Sequence, residues 1–323
     1  MLPTRQLGKN GPEFTVIGFG AWAIGGPWAY GWGPQDDRES INAIHAAIDM
    51  GINWIDTAAV YGLGHSEEIV GKAIKGKRDQ VYIATKCGLV WDSQGRVKGN
   101  INPGSIRQEV ENSLRRLDID VIDLYQIHWP DGKTPEEKAW EMMLKLKDEG
   151  KVRWIGVSNF DVEKLQKCLS VGPVQSLQPP YNLVRREVEK SILPFCKENG
   201  IGVVAYSPMM SGLLSGKFDI NRLASDDWRR KSAYFQEPFL SRALNFVEKL
   251  RPMAEKYGKT VAQFSIGWVL QHPAITSAIV GARRPSQVEE IVGAADLVID
   301  PEDMKIIDEW LRETIGDDVY RHL

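Results

Sequence analysis

Four ionisable residues stand at or just past the ends of short apolar runs. Asp56 follows NWI, Tyr61 lies in the loop after it, Lys86 follows VYIAT, and His128 follows VIDLYQI. Together these side chains suit the reduction of a carbonyl. Hydride arriving at the carbonyl carbon builds negative charge on oxygen, and a nearby acid must deliver a proton. A free phenol titrates near about 10, which makes it a slow donor at neutral pH. A buried ammonium beside it favours the phenolate and lowers that value. The ammonium keeps its own proton only if a carboxylate supports it. Asp56 is therefore expected to hold Lys86 charged, and Lys86 to activate Tyr61 as the proton donor. His128 is expected to orient the carbonyl oxygen and to relay a proton.

Singly, each residue has a plainer account. A strand-end lysine is commonly solvated or paired, and a tyrosine after a strand commonly packs with its hydroxyl satisfied. A histidine there can belong to the core, and an aspartate can cap the next turn. The set is what points to chemistry, because three consecutive strands bring it to one place. Trp22 and Trp129 supply apolar walls for such a site, and Trp28, Tyr30, Trp32 and Trp91 are further aromatic candidates.

The elements that must position these residues follow one rhythm. A hairpin-like stretch over residues 4–13 precedes the strand TVIGFG. DDRESINAIHAAIDMG then places Ile41, Ile44 and Ile48 on one helical face and stops at Gly51. Strands are expected at INWIDTA, VYIATKCG, VIDLYQIHWP, VRWIGVSNF, VQSLQPPYN, GVVAYSPM and SAIVGA, each followed by a helical pattern. One of those helices is expected to run unbroken through EVEKSILPFCKENG. About eight strand and helix units in alternation predict a closed (β/α)8 TIM barrel. No linker or composition shift divides the chain, so residues 1–323 are read as one domain. Residues 209–239, after the seventh strand, are too long for an ordinary connection and are expected to cover a cofactor.

Gly18, Gly20 and Ala23 in GFGAWA satisfy a relaxed dinucleotide-binding pattern. That pattern works only where a helix opens at its end and aims its amides at pyrophosphate. The continuation here, IGGPWAYGWG, cannot open one, so the glycines are read as closing a barrel strand.

With 43% hydrophobic residues in 323, the chain buries a large core without a metal or disulfide, and no metal is expected. A net charge of −3 gives no reason to expect nucleic acid or an anionic membrane as partner. Cys87, Cys168 and Cys196 are scattered, and no run of residues matches a leader or a membrane span. A cytoplasmic protein is the expectation.

At this point the motifs show a resemblance. INWIDTAAVYG is similar to the aldo-keto reductase signature that holds the catalytic aspartate and tyrosine, IATKCG to that family's lysine strand, and LYQIHWP to its histidine strand. VRWIGVSNF, SLQPPYNL and VVAYSPMMSGLLSGK resemble later segments of the family, in family order, so the resemblance spans essentially the whole chain. It implies NADPH/NADP+ as cofactor, with NADH the less favoured, and a small-molecule aldehyde or activated ketone as substrate. It implies that Ser158, Asn159 and Gln178 bind the nicotinamide carboxamide and that Tyr206 stacks on its ring. It also implies that Ala21, Trp22, Asp56, Ser207, Pro208, Met209, Ser211 and Lys217 lie along the cofactor.

In AIVGARRPSQVEEI, Arg283 and Arg284 precede a helix whose N-terminus favours anions, and a guanidinium matches a phosphate in shape. The resemblance implies that Gly281, Ala282, Arg283, Gln287 and Glu290 hold the adenosine 2′-phosphate and adenine. DDWRRKSAYF is similar to an element of a subset that includes bacterial general-stress and inositol-related reductases and, more distantly, potassium-channel β-subunits. It implies a phosphate role for Arg229. The pattern departs at Ile291, where many members carry Asn. Two other readings accompany this one. The first is an NADP(H)-binding regulatory or scaffold protein with incidental turnover. The second is a barrel aldolase or isomerase with Lys86 as a Schiff-base lysine, which leaves Tyr61, Asn159 and Tyr206 without roles.

Overall fold

The computed structural model describes residues 1–321. The chain opens on an antiparallel hairpin of β1 (Thr4–Gln6) and β2 (Glu13–Thr15). Strands β3 (Ile17–Gly20), β4 (Trp54–Asp56) and β5 (Tyr82–Cys87) follow. A second hairpin comes next, β6 (Leu89–Trp91) and β7 (Val97–Gly99). The remaining strands are β8 (Ile122–Ile127), β9 (Val152–Ser158), β10 (Ser176–Gln178), β11 (Gly202–Ala205) and β12 (Ile275–Gly281). Outside the two hairpins the strands are parallel and close into an eight-stranded barrel, with β12 pairing back onto β3. This is the expected TIM barrel.

Helices ring it: α1 (Asp37–Asp49), α2 (His65–Ile74), α3 (Pro103–Leu117), α4 (Glu136–Asp148) and α5 (Val162–Val171). They continue with α6 (Ile192–Glu198), α7 (Phe239–Lys256), α8 (Val261–Val269), α9 (Pro285–Val292) and α10 (Pro301–Thr314). Local sequence sets their ends. The Asp36 side chain caps α1 by accepting from Glu39 N, and Asn102 caps α3 in front of a proline at its first turn. The buried face of α1 is Ala43, Ile44, Ala47 and Ile48, so its 3.6-residue pattern faces the barrel wall as read.

The barrel lumen is filled rather than open. Phe14 from the first hairpin stacks on Trp54 at 4.6 Å and 7°, closing the N-terminal end, and Ala84, Leu124, Val204 and Ile279 belong to the same cluster. Trp54 Nε1 donates to Thr15 O and Ser277 Oγ. A Cβ on Gly18 would come within 2.1 Å of the Trp54 indole. The GFG run is therefore barrel wall that gives way to a tryptophan, and only a single 3-10 turn follows it at Ala21–Ile24.

Two elements depart from the sequence reading. The helix expected through residues 187–200 divides into a 3-10 turn, Glu187–Lys190, and α6. Pro194 explains the division, since in a continuous helix its ring would meet the Lys190 carbonyl. The β6–β7 hairpin was not anticipated. Asp92 closes its turn by accepting from Gln94 N and Arg96 N. Residues 209–239, the segment expected to cover a cofactor, carry four short 3-10 turns. Among the described residues no helix is long and apolar enough to cross a membrane, and none of their His, Cys, Asp and Glu side chains group as a metal site would.

Replacing Gly18 with Ala overpacks the lumen at Trp54. Such overpacking costs about 1–3 kcal/mol, and the urea unfolding midpoint should fall accordingly. An unchanged midpoint would show that the Trp54 packing does not depend on this glycine.

Candidate active site

The C-terminal ends of β4, β5 and β8 bring the four predicted residues together. Lys86 Nζ donates to Asp56 Oδ2 at 2.7 Å, to Thr57 O at 2.8 Å and to the Tyr61 hydroxyl at 3.2 Å. An ammonium has three donors, so this lysine is saturated. Asp56 is held from the other side, its Oδ1 accepting from Gln178 Nε2 at 2.8 Å across the barrel. Asp56 and Lys86 are 2% and 1% exposed, so the pair sits out of water.

The protonation states follow from burial. Desolvation lowers the Lys86 pKa, with Asp56 and then Glu67 opposing the shift. The expected lowering at Tyr61 is not what the site does. Burial first, and the Asp56 charge second, hold the phenol well above its ordinary value. Asp56 at 2.7 Å offsets the Lys86 charge, so in the resting site the lysine does not outweigh the burial of the phenol. Tyr61 therefore carries its proton throughout the physiological range. His128 is held well below the usual histidine value by burial and then by the Lys86 charge, so its imidazole is neutral. Its ring meets the Tyr61 ring edge-on at 5.7 Å.

Further round the barrel, Asn159 Nδ2 donates to His128 O at 3.0 Å and to Ser158 Oγ at 2.9 Å, while its Oδ1 accepts from the Tyr206 hydroxyl at 2.8 Å. Ser158 Oγ donates to Gln178 O. These polar groups hold one another, and the Gln178 amide is committed to Asp56. Backbone strain collects here. Asn159, Ser207, Met210, Ser211 and Leu63 all have φ between 47° and 62°. Such non-glycine conformations cost about 1–3 kcal/mol each and persist only where the surroundings fix them. Asn182 does part of the fixing, its Nδ2 donating to Ser207 O at 3.0 Å. Met210, Ser211 and Gly212 follow one another with positive φ, and the Met210 and Gly212 amides donate to Ser207 O and Met209 O.

A cavity of about 570 Å³ opens above these residues. Asp56, Tyr61 and His128 face it, with Trp22, Trp28, Trp32 and Trp129 as aromatic wall. Ser158, Asn159, Gln178 and Tyr206 line the next stretch, followed by Ser207, Pro208, Met209 and Ser211. Gly281, Arg283 and Gln287 line its far end.

Other predicted residues stand off the cavity. Lys86 lies behind Tyr61 and Asp56, and Ala21 and Ala282 are buried in the core. Lys217 is 73% exposed and pairs with Glu290 at 3.2 Å. Arg229 bonds both Asp227 oxygens and Ser211 O, with its guanidinium 4.4 Å from the Trp32 ring centre. Ile291 is buried in the core. Trp91 faces away and lies under the Arg116 guanidinium.

Several functional neighbours escaped the sequence reading. Leu89 and Val97 of the second hairpin line the cavity, and so does Trp228, whose ring is 5.7 Å from that of Trp22. Alternation on either side of DSQG was a usable sign of the hairpin. Trp228 had no local sign. Behind β5, the fully buried Glu67 accepts from Thr85 Oγ1 and Arg116 Nε, both at 2.6 Å. Glu109 accepts from Gly88 N at 2.8 Å, and burial raises its carboxyl pKa to about 7.

The model of the aldo/keto reductase family matches residues 16–312. The chain is 44% identical to aldo-keto reductase YhdN of Bacillus subtilis, over 97% of this chain and 95% of that protein. It is 35% identical to the NADH-specific methylglyoxal reductase of Escherichia coli, over 94% and 96%. Among solved structures, a glycerol dehydrogenase of Gluconobacter oxydans superposes with a TM-score of 0.89 at 40% identity, covering 97% of this chain and 96% of that one. An aldo/keto reductase of Klebsiella pneumoniae in complex with NADP and acetate gives 0.73 at 31%, covering 96% and 95%.

The electrostatics of the site are open to direct test. The His128 imidazole, followed by NMR, should stay neutral at pH 6, where a free histidine is largely protonated. Lys86→Met removes the cation that opposes its protonation and leaves Asp56 unneutralised, so the His128 pKa should rise. A value near 6.5 in the native protein, unmoved by the substitution, would contradict this picture.

Proposed function

The chain belongs to the aldo/keto reductase family, and on that footing we propose that it reduces small aldehydes and activated ketones to alcohols with NADPH, using Tyr61 as general acid. One observation carries the reading: a protonated phenol faces the cavity with an ammonium 3.2 Å behind its oxygen. The aldolase alternative needs a free lysine amine, whereas Lys86 has its three donors engaged and faces no cavity.

The residues along the cavity fit a phosphorylated dinucleotide. Tyr206 offers a flat ring beside an Asn159 amide locked by three hydrogen bonds. Ser207, Met209 and Ser211 line the stretch beyond Tyr206, and Arg283, just before the N-terminus of α9, offers a cationic group to the cavity. Arg284 is exposed at the N-cap of that helix. These two guanidiniums support NADPH over the NADH named for the Escherichia coli relative.

Bound NADPH supplies the hydride. The protein's own part is proton delivery and exclusion of water. Neutral His128 donates a hydrogen bond to the carbonyl oxygen and sets its position. The Tyr61 hydroxyl gives its proton to that oxygen as negative charge develops there. Lys86 stays charged and stabilises the phenolate that remains, and Asp56, braced by Gln178, keeps Lys86 protonated. The tryptophans of the wall keep the reacting centre dry, which strengthens each of these interactions.

The test is NADPH oxidation, followed by absorbance, with a reactive aryl aldehyde such as 4-nitrobenzaldehyde. Tyr61→Phe should lower kcat by about 100-fold or more, and NADPH should outperform NADH in kcat/KM. Coenzyme binding without turnover of any carbonyl in a broad panel would favour the regulatory reading instead. Failure to bind either nucleotide would remove the assignment.

A further inference from the structure

Two of the three arginines that the sequence points toward a phosphate, Arg283 and Arg229, also hold the wall of the carbonyl pocket. Residues 26–35 form a glycine-rich segment whose Trp28, Tyr30 and Trp32 line the cavity. Trp28 stands 6.3 Å from the Tyr61 ring, and Trp32 meets Trp22 edge-on at 6.0 Å. Neither indole anchors itself, since Trp28 Nε1 and Trp32 Nε1 are buried without a hydrogen-bond partner. Among the described residues, the hydrogen bonds that reach from this segment to another barrel loop end on Arg283. Arg283 Nε donates to Gln35 Oε1 at 2.6 Å, its other nitrogens donate to Pro34 O and, at 3.4 Å, to Trp32 O, and Gln35 Nε2 donates to Arg283 O at 2.9 Å. The remaining tie is the Arg229 guanidinium, stacked at 4.4 Å on Trp32 and bonded to Ser211 O in the loop after β11.

A guanidinium has five N–H donors, and three of those on Arg283 face the segment. The other two are free for a phosphate, so Arg283 can hold phosphate and wall together. We propose that Arg283 is a positioning residue for the carbonyl pocket, and that a 2′-phosphate bound to it fixes the aromatic wall and tightens carbonyl binding beside Tyr61. The proposal rests on the NADPH reading above. A dianion on the free edge of the guanidinium fixes its plane, and with it the two carbonyls and the Gln35 amide that share it. By linkage, whatever affinity the phosphate adds for the carbonyl, the carbonyl adds for the phosphate.

The adenosine half of the coenzyme separates this effect from hydride chemistry. Adenosine 2′,5′-bisphosphate and 5′-AMP are titrated by calorimetry and by tryptophan emission into the native protein and into Gln35→Ala, which removes two of the four hydrogen bonds that join Arg283 to the segment. Aldehyde KM and kcat are measured in parallel at saturating NADPH and NADH. In the native protein the bisphosphate should bind and change the emission, while 5′-AMP at saturation should not. Aldehyde KM should be about fivefold lower with NADPH than with NADH, with kcat little changed. In Gln35→Ala the bisphosphate should still bind, but the emission change and the KM difference should shrink. Bisphosphate binding to the native protein without an emission change, or equal KM with the two coenzymes, overturns the proposal, as does a KM difference that survives undiminished in Gln35→Ala. If the bisphosphate does not bind the native protein at all, the NADPH reading fails and the coupling fails with it.

Discussion

The site depends on one buried ion pair. Removing an ammonium and a carboxylate from water costs several kcal/mol per ion, and their mutual attraction offsets this only when the remaining hydrogen-bonding capacity is met. Here it is met. Lys86 places its three protons on Asp56, Thr57 O and Tyr61, and Asp56 receives the Gln178 amide on its second oxygen. These five residues come from β4, the loop after it, β5 and β10, so the pair gains its last hydrogen bond, from Gln178, only when the barrel has closed. Loss of one partner would strand a buried charge, which is why neither side of the lumen can shift without the other. The chemistry inherits that rigidity, because the phenol that faces the cavity is itself one of the lysine's acceptors.

Rigidity is also what allows strain to persist around the cavity. The left-handed Asn159, Ser207, Met210 and Ser211 are held by side chains from neighbouring strands and loops, notably Asn182 on Ser207 O and Tyr206 on Asn159. Asn10 and Asp118, the other left-handed non-glycine residues described, are of the types that visit this region readily in turns. Serine, methionine and leucine are not, and these costlier cases gather at the site. The lumen below shows the complementary economy: Gly18 has no side chain because the Trp54 indole occupies its place, and Phe14 stacks beneath it.

How much of this was legible in the sequence depended on how local each cause was. The barrel was legible because each strand and helix carries its own period and its own stop, such as Asn102 and Pro103 opening α3. Asp56, Tyr61, Lys86 and His128 were legible because each sits beside an apolar run that fixes where it emerges. The division of the helix at Pro194 was within reach, since the proline was in plain view. The second hairpin was less so, because its strands are only three residues long. Trp228 was not, because its place depends on how residues 209–239 fold back over Trp22, far away in sequence. The sign of the Tyr61 shift was misread for the same reason. Sequence supplies the lysine, its carboxylate and the tyrosine, but only the folded lumen shows how far the phenol is buried, which raises its pKa ahead of the Asp56 charge.

The two ends of the cavity use cations of different kinds, and donor number explains the choice. At the reacting end the cation must not take a ligand of its own, since a free donor there would compete with Tyr61 for the carbonyl oxygen. A lysine with three donors and three acceptors leaves nothing over, so it acts only through the phenol. At the far end a cation must serve fixed protein groups and remain open to a ligand. An arginine with five donors in a rigid plane can satisfy Gln35, Pro34 and Trp32 and still present an edge. Exchanging the two residue types would leave an unsatisfied donor beside the Tyr61 hydroxyl and a saturated cation at the end proposed for the phosphate. Their placement is therefore set by hydrogen-bond capacity, with charge alone unable to distinguish them.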